Sequence, residues 1–134
     1  ERDGMLYTTD MSRRARSPEL WATLKFFGRE GVEWLINDLC DKAQEFARQL
    51  RANGFTILNN VDFNQVLVCC ESDDITQKTL AHIQSGTVLW CGGSVWQGRS
   101  TIRISVCSWA TTMSDIDMSV DAMVKAHEKA KSRE

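Results

Sequence analysis

The 134-residue sequence predicts an α+β domain, a mainly antiparallel four-stranded sheet with helices on one face, in the order α-α-β-β-α-β-β-α. Three observations carry this. Residues 101–112 read TIRISVCSWATT, with Ile102, Ile104 and Val106 on one side of an extended chain and Arg103, Ser105 and Cys107 on the other. That period-two alternation, rich in β-branched residues, is the pattern of a strand with one covered face. Long stretches on either side instead repeat apolar residues at threes and fours, the spacing of amphipathic helices. Helices and short strands that alternate along one chain must share a core, because a sheet buries its apolar face only against another layer.

Residues 1–16 show little periodicity and read as an extended arm. Ser17-Pro18-Glu19 is a helix start: a serine cap, proline at the first helical position and an acid in the first turn. This helix runs to about Phe27, and Gly28 ends it. Leu20, Trp21, Leu24 and Phe27 form one stripe while Phe26 points away. A short helix apolar on nearly every side is buried on both sides, or leaves an aromatic patch of the kind that marks interaction surfaces. Residues 28–31 are a bend. A long helix follows to about Ala52, with Val32, Leu35, Ile36, Leu39, Ala43, Phe46, Ala47 and Leu50 inward. Glu33, Asp38, Asp41, Lys42, Glu45 and Arg48 make its solvated face, and Gly54 suits the left-handed C-terminal position.

Strands are expected at residues 55–58 and 65–70, joined by the turn chemistry of Asn59-Asn60 with Asp62 and Asn64. A third helix starts within residues 71–74, turns Ile75, Leu80 and Ile83 inward, and ends at Gly86. Residues 87–91 read as a third strand, continuing through 94–96 past a bulge at Gly92-Gly93. Gln97-Gly98 is a tight turn into the strand that carries Arg103. The last helix opens on a capping-box-like Ser114 and Asp117, buries Ile116, Val120, Met123, Val124 and His127, and ends among Lys125, Lys129 and Lys131. The resulting organisation is an arm at 1–16, linking helices at 17–53 and a small α+β domain at 54–134.

Composition removes several classes. A net charge of −2 gives no global electrostatic case for nucleic acid or anionic membrane, and Arg13, Arg14 and Arg16 are too few for a nucleic-acid arm. No apolar run approaches a membrane span, and no secretory signal opens the chain. The charged start without Met looks like a cut, which suggests a fragment or a processed chain. Cys40, Cys69, Cys70, Cys91 and Cys107 are odd in number and irregularly spaced, so no zinc motif is visible. Buried free thiols in a reducing, cytoplasmic setting are the reading they favour.

No complete catalytic set is present. His82 and His127 sit in helices, no serine lies in a nucleophile motif, and Gly92-Gly93 with Gly98 lacks a phosphate loop's lysine. Lys25, Lys42, Lys78, Lys125, Lys129 and Lys131 all fall in predicted helices, away from strand ends where a buried amine would form a Schiff base. What remains is Arg103, which must be solvated or paired because an unpaired buried charge costs several kcal/mol or more.

Ser12-Arg13-Arg14-Ala15-Arg16, with Leu20-Trp21 and Phe27-Gly28-Arg29-Glu30-Gly31, resembles the start of the C-terminal portion of group II pyridoxal-phosphate-dependent amino-acid decarboxylases. So do Asn64-Gln65-Val66-Leu67-Val68, Trp90-Cys91-Gly92-Gly93 with Val95-Trp96 and Gly98, and Arg103-Ile104-Ser105-Val106 with Ser108-Trp109 and Thr111-Thr112. The resemblance covers nearly the whole chain. It implies the small domain of the type I, aspartate-aminotransferase-like fold, in a cytoplasmic homodimer acting on an amino acid. It also implies that pyridoxal 5'-phosphate is bound by a large domain of the same enzyme, since no position here matches the family's cofactor lysine, stacking histidine or aspartate. The chain alone is then expected to be inactive and to close over the active site. Arg14 or Arg16 would hold an active-site loop or dimer contact. Arg103 would pair with a carboxylate of substrate or of the large domain, or within its own domain. Trp96 would line the substrate entrance or anchor the hairpin. The competing reading is a stand-alone ligand-binding or dimerisation module, since fold does not decide function.

Overall fold

The structure is a computed structural model that describes residues 7 and 17–132. Arg14 and Arg16 therefore lie outside the described residues. The chain divides into two compact units, Glu1–Trp34 and Leu35–Glu134.

Helix α1 (Ser17–Ala52) contains the break expected at Gly28, whose φ of 61° and ψ of −171° are non-helical. Glycine takes this left-handed φ without the Cβ clash other residues would meet. In the first unit, Thr23 Oγ1 donates back to the Glu19 carbonyl at 2.8 Å. The Phe26 and Phe27 rings meet edge to face, with centroids 5.4 Å apart.

In the second unit, Leu39, Ala43, Phe46, Ala47 and Leu50 of α1 are buried, as their spacing predicts. The helix ends in a hydrogen-bonded left-handed turn. Gly54, at φ 86°, donates to Arg51 O, and Phe55 donates to Leu50 O at 3.1 Å. These paired bonds satisfy carbonyls that the helix end leaves free, and they bring Phe55 into the core beside Leu50.

Strands β1 (Thr56–Ile57), β2 (Gln65–Cys69), β3 (Gly92–Trp96) and β4 (Arg99–Ser105) form one sheet in the order β1-β2-β4-β3. All three pairings are antiparallel. Val66 stands opposite Ile104, Val68 opposite Ile102, and Gly93 opposite Ile102 on the other side. Directly opposed residues share a face, so these positions lie on the side where the helices pack, and Ser100 and the exposed Val95 continue that side beyond the covered part. Helix α2 (Asp73–Gln84) and helix α3 (Met113–Lys131) pack against each other, and both contribute to the core under this side. Ile102, Ile116, Met123, Leu50, Val66 and Val68 are essentially sealed from water. Burying each such side chain contributes about 1.5–3 kcal/mol. Gly93 is required here by close approach, since a Cβ would come 2.8 Å from Leu80 Cδ2.

Three local expectations are corrected. Residues 87–91 are not a strand; β3 starts at Gly92, and the Cys91 carbonyl accepts from the Gln84 side chain at 2.8 Å instead of from a ladder partner. The cap of α3 is Thr112 with Asp115, two residues before the expected pair, and forms a complete capping box. Asp115 is held below the usual carboxylate range by the Thr112 backbone N–H and hydroxyl. Lys42 is not on a solvated face. It is 7 % exposed and paired with Asp38 one turn earlier on α1. A lysine can be buried there because the partner carboxylate compensates its charge.

Candidate functional site

The other face of the sheet is open in part, with Cys69 of β2 and Thr101 of β4 buried on it. Along it run Gln65 and Leu67 of β2, Arg103 and Ser105 of β4, and Gly92, Ser94 and Trp96 of β3. Gln65, Ser94, Trp96, Arg103 and Ser105 are all exposed. The alternation in the sequence places Arg103 here, because its neighbours Ile102 and Ile104 are drawn into the core. Arg103 is flanked in register by Leu67 on β2 and Gly92 on β3. A Cβ at Gly92 would lie 3.9 Å from the guanidinium Nη2, so the glycine leaves the Arg103 head uncrowded over β3. Among the described residues Arg103 makes no ion pair and no side-chain hydrogen bond. The intradomain ion pair that the sequence left open is not formed among them.

Trp96 shares this face, opposite Arg99 at the mouth of the hairpin. The turn is Gln97-Gly98, at φ 49° and 78°. Two left-handed residues in a two-residue loop match the right-handed twist of the paired strands. Arg103 lies four residue steps beyond Arg99 on β4, a span of about 13 Å along a strand. The structure thus brings Trp96 and Arg103 onto one surface without contact between them.

In the first unit the apolar stripe is not core. Trp21 is 64 % and Phe26 85 % exposed, and Leu20, Leu24 and Trp34 are exposed with them. Apolar side chains on both sides of this helix segment thus face solvent in this chain.

One polar cluster escaped the sequence reading. His127 Nε2 lies 2.8 Å from Glu71 Oε2, and Lys131 Nζ lies 2.7 Å from Glu71 Oε1. The His127 ring packs on Phe55, with centroids 4.9 Å apart. Lys131 first, then His127, hold the Glu71 carboxyl down at about 2. The Cys70 thiol donates to Thr79 Oγ1 at 3.6 Å, and burial pushes its pKa up. Burial also raises the Cys91 thiol to about 11. Both are therefore protonated near neutrality and poor nucleophiles. The only signal in the sequence was the i, i+4 spacing of His127 and Lys131 on one helix face.

The described residues do not fit pyridoxal phosphate. Every lysine among them sits in a helix, and the one buried lysine, Lys42, is tied to Asp38. A cavity of about 520 Å³ between α1 and α3 is lined by Glu45, Arg48, Gln49 and Asp117. These groups already bond one another, Arg48 to Glu45 at 2.6 Å and Gln49 to Asp117 at 2.6 Å. It is a helix–helix seam with no amine free for a carbonyl cofactor.

No protein-family model matches the chain. Histidine decarboxylase of Drosophila melanogaster is 29 % identical over 116 residues, which cover 85 % of this chain and 14 % of that protein. The structure of Oryza sativa TDC with PLP and tryptamine superposes with a TM-score of 0.83 at 15 % identity, over 97 % of this chain and 30 % of that one. Catharanthus roseus tryptophan decarboxylase in complex with L-tryptophan gives 0.79 at 20 % identity, over 92 % of this chain and 28 % of that one. The chain thus spans about a seventh of its curated relative and under a third of these solved structures. The fold and the resemblance read from the sequence agree with these likenesses.

Proposed function

We propose, from the premise that this chain is built as the C-terminal, small-domain portion of a group II pyridoxal-phosphate-dependent amino-acid decarboxylase, that it closes the active site of such an enzyme and forms part of its domain and dimer interface. The cofactor is then held by a large domain outside this chain. The whole enzyme removes the α-carboxylate of an amino acid, and the chain by itself is inactive. Residues 17–53 serve as the link to the large domain, and residues 54–134 as the small domain. The carrying observation is that Arg103 presents an uncompensated guanidinium on an open sheet face, where its core-facing neighbours hold it in place. A planar guanidinium suits a carboxylate partner, of the substrate or of the large domain. Trp96, on the same face, lines the substrate entrance. The exposed Trp21 and Phe26 supply apolar area for the interface. Arg14 or Arg16, ahead of that helix in the sequence, braces an active-site loop or the dimer contact.

The test is Arg103→Ala in the full-length enzyme. A fall in kcat/KM of about tenfold or more, with an unchanged melting temperature, supports a charge used in the reaction; loss of one charge-assisted bond is worth about 1.5–3 kcal/mol. Normal turnover with a lowered melting temperature rejects it. A second experiment tests whether the cofactor and the chemistry lie outside this chain. The isolated chain should neither retain pyridoxal phosphate after gel filtration nor release carbon dioxide from any amino acid.

A further inference from the structure

Three donor atoms of different chemistry converge just past the end of β2. Cys70 Sγ, a carboxylate oxygen of Glu71 and a ring nitrogen of His127 lie within 4.8 Å of one another. Cys70 and His127 are only 2 % and 7 % exposed, whereas Glu71 is open to solvent. Tetrahedral zinc takes sulfur, nitrogen and oxygen donors at about 2.0–2.3 Å, which sets neighbouring donors about 3.3–3.8 Å apart. The three atoms bracket that spacing: none is more than 4.8 Å from another, and His127 Nε2 and Glu71 Oε2 are 2.8 Å apart. Glu71, on a surface loop, is the ligand with freedom to adjust.

We propose that Cys70, Glu71 and His127 form a zinc site, with the fourth position open to water. Two of the ligands are held by packing, as a preorganised site requires. The Cys70 backbone N–H donates to Thr76 Oγ1 at 3.0 Å, and Thr79 Oγ1 stands 3.6 Å from the sulfur, where it can donate to a thiolate. Phe55 fixes the His127 ring. On binding, the thiol proton leaves to solvent. The imidazole keeps its hydrogen on Nδ1, so that Nε2, which faces Glu71, becomes a ligand. Glu71 ligates through Oε2, which faces His127, while Lys131 on Oε1 competes with the ion for the carboxylate's charge; its side chain is half exposed, so it is a weak competitor. The bound ion would tie the end of β2 to α3.

The experiment is a titration of the chain with Co²⁺ as a spectroscopic stand-in, followed by displacement with Zn²⁺. One ion per chain is expected, with a thiolate-to-cobalt charge-transfer band and the visible bands of a four-coordinate ion. Cys70→Ser and His127→Gln should each weaken binding about tenfold or more. Lys131→Ala, which removes the competitor without touching a ligand, should tighten it about threefold. Absence of a thiolate band, or a band that survives Cys70→Ser, overturns the proposal. If the ligand variants fail to fold, Lys131→Ala decides alone: tighter binding supports the site and unchanged affinity overturns it.

Discussion

Across the β3–β4 pair Gly92 stands directly opposite Arg103, and the space a side chain would fill at 92 lies 3.9 Å from the guanidinium. The arrangement leaves a strong hydrogen-bond donor uncommitted while the backbone beneath it is fixed by two ladders. Arg103→Ala should therefore change the stability of the chain by less than about 0.5 kcal/mol, since exposed groups without partners contribute little. Equilibrium urea unfolding checks this. A cost above about 2 kcal/mol would mean that the guanidinium is structural.

Thr76 behaves differently, although it is also polar. It is fully buried, accepts from the Cys70 backbone N–H at 3.0 Å and donates to the Ser72 carbonyl at 2.8 Å. Thr76→Val keeps the shape and deletes both bonds. An unsatisfied buried N–H costs about 1–3 kcal/mol, so urea unfolding should show a loss of that size.

Gln97 sits at φ 49° in the hairpin turn. A side chain there meets the crowding that glycine avoids and asparagine tolerates. Gln97→Gly or Gln97→Asn should raise stability by about 0.5–1 kcal/mol. A calorimetric melting temperature that rises for both substitutions is the expected result.

Glu71 gives the fold an acid-side pH dependence. Its carboxyl is lowered from 4.5 to about 2, first by Lys131, then by His127. A group whose folded pKa is depressed stabilises the fold above its unfolded value, and that contribution disappears as pH falls through the folded value. Stability should thus decline from about pH 4.5 downward to about 2. Glu71→Gln should flatten that part of the profile by lowering stability on the neutral side toward its acid value, a modest loss because the pair is half exposed and screened. Urea midpoints measured across the acid range decide it.

Much of the architecture was legible in local signals. Gly28 and Gly54 each stand where a helix must bend or stop, and Gln97-Gly98 marks the hairpin. Ile102, Ile104 and Val106 alternate as one covered face must. What sequence reading missed depended on partners distant in the chain. Residues 87–91 are apolar enough for a strand, but the ladder with β4 ends at the Gly92–Arg103 pair, and propensity without a partner makes no strand. Lys42 reads as solvated although its partner Asp38 stands one turn before it, because the start of α3, which comes near it, is distant in the sequence. His127 and Glu71 are 56 residues apart, and no spacing rule links them. Of the site, the side of the sheet on which Arg103 and Trp96 lie was readable, because period two dictates it.

Strand β3 stands at the end of the sheet, and its Gly-Gly-Ser-Val-Trp sequence carries neither a charge nor a proline. Protein edges are ordinarily blunted by one or the other, because a bare row of amides and carbonyls templates further strands. At high concentration the isolated chain would accordingly tend to self-associate through this rim, and a lysine introduced at Ser94 is the simplest way to keep it in solution.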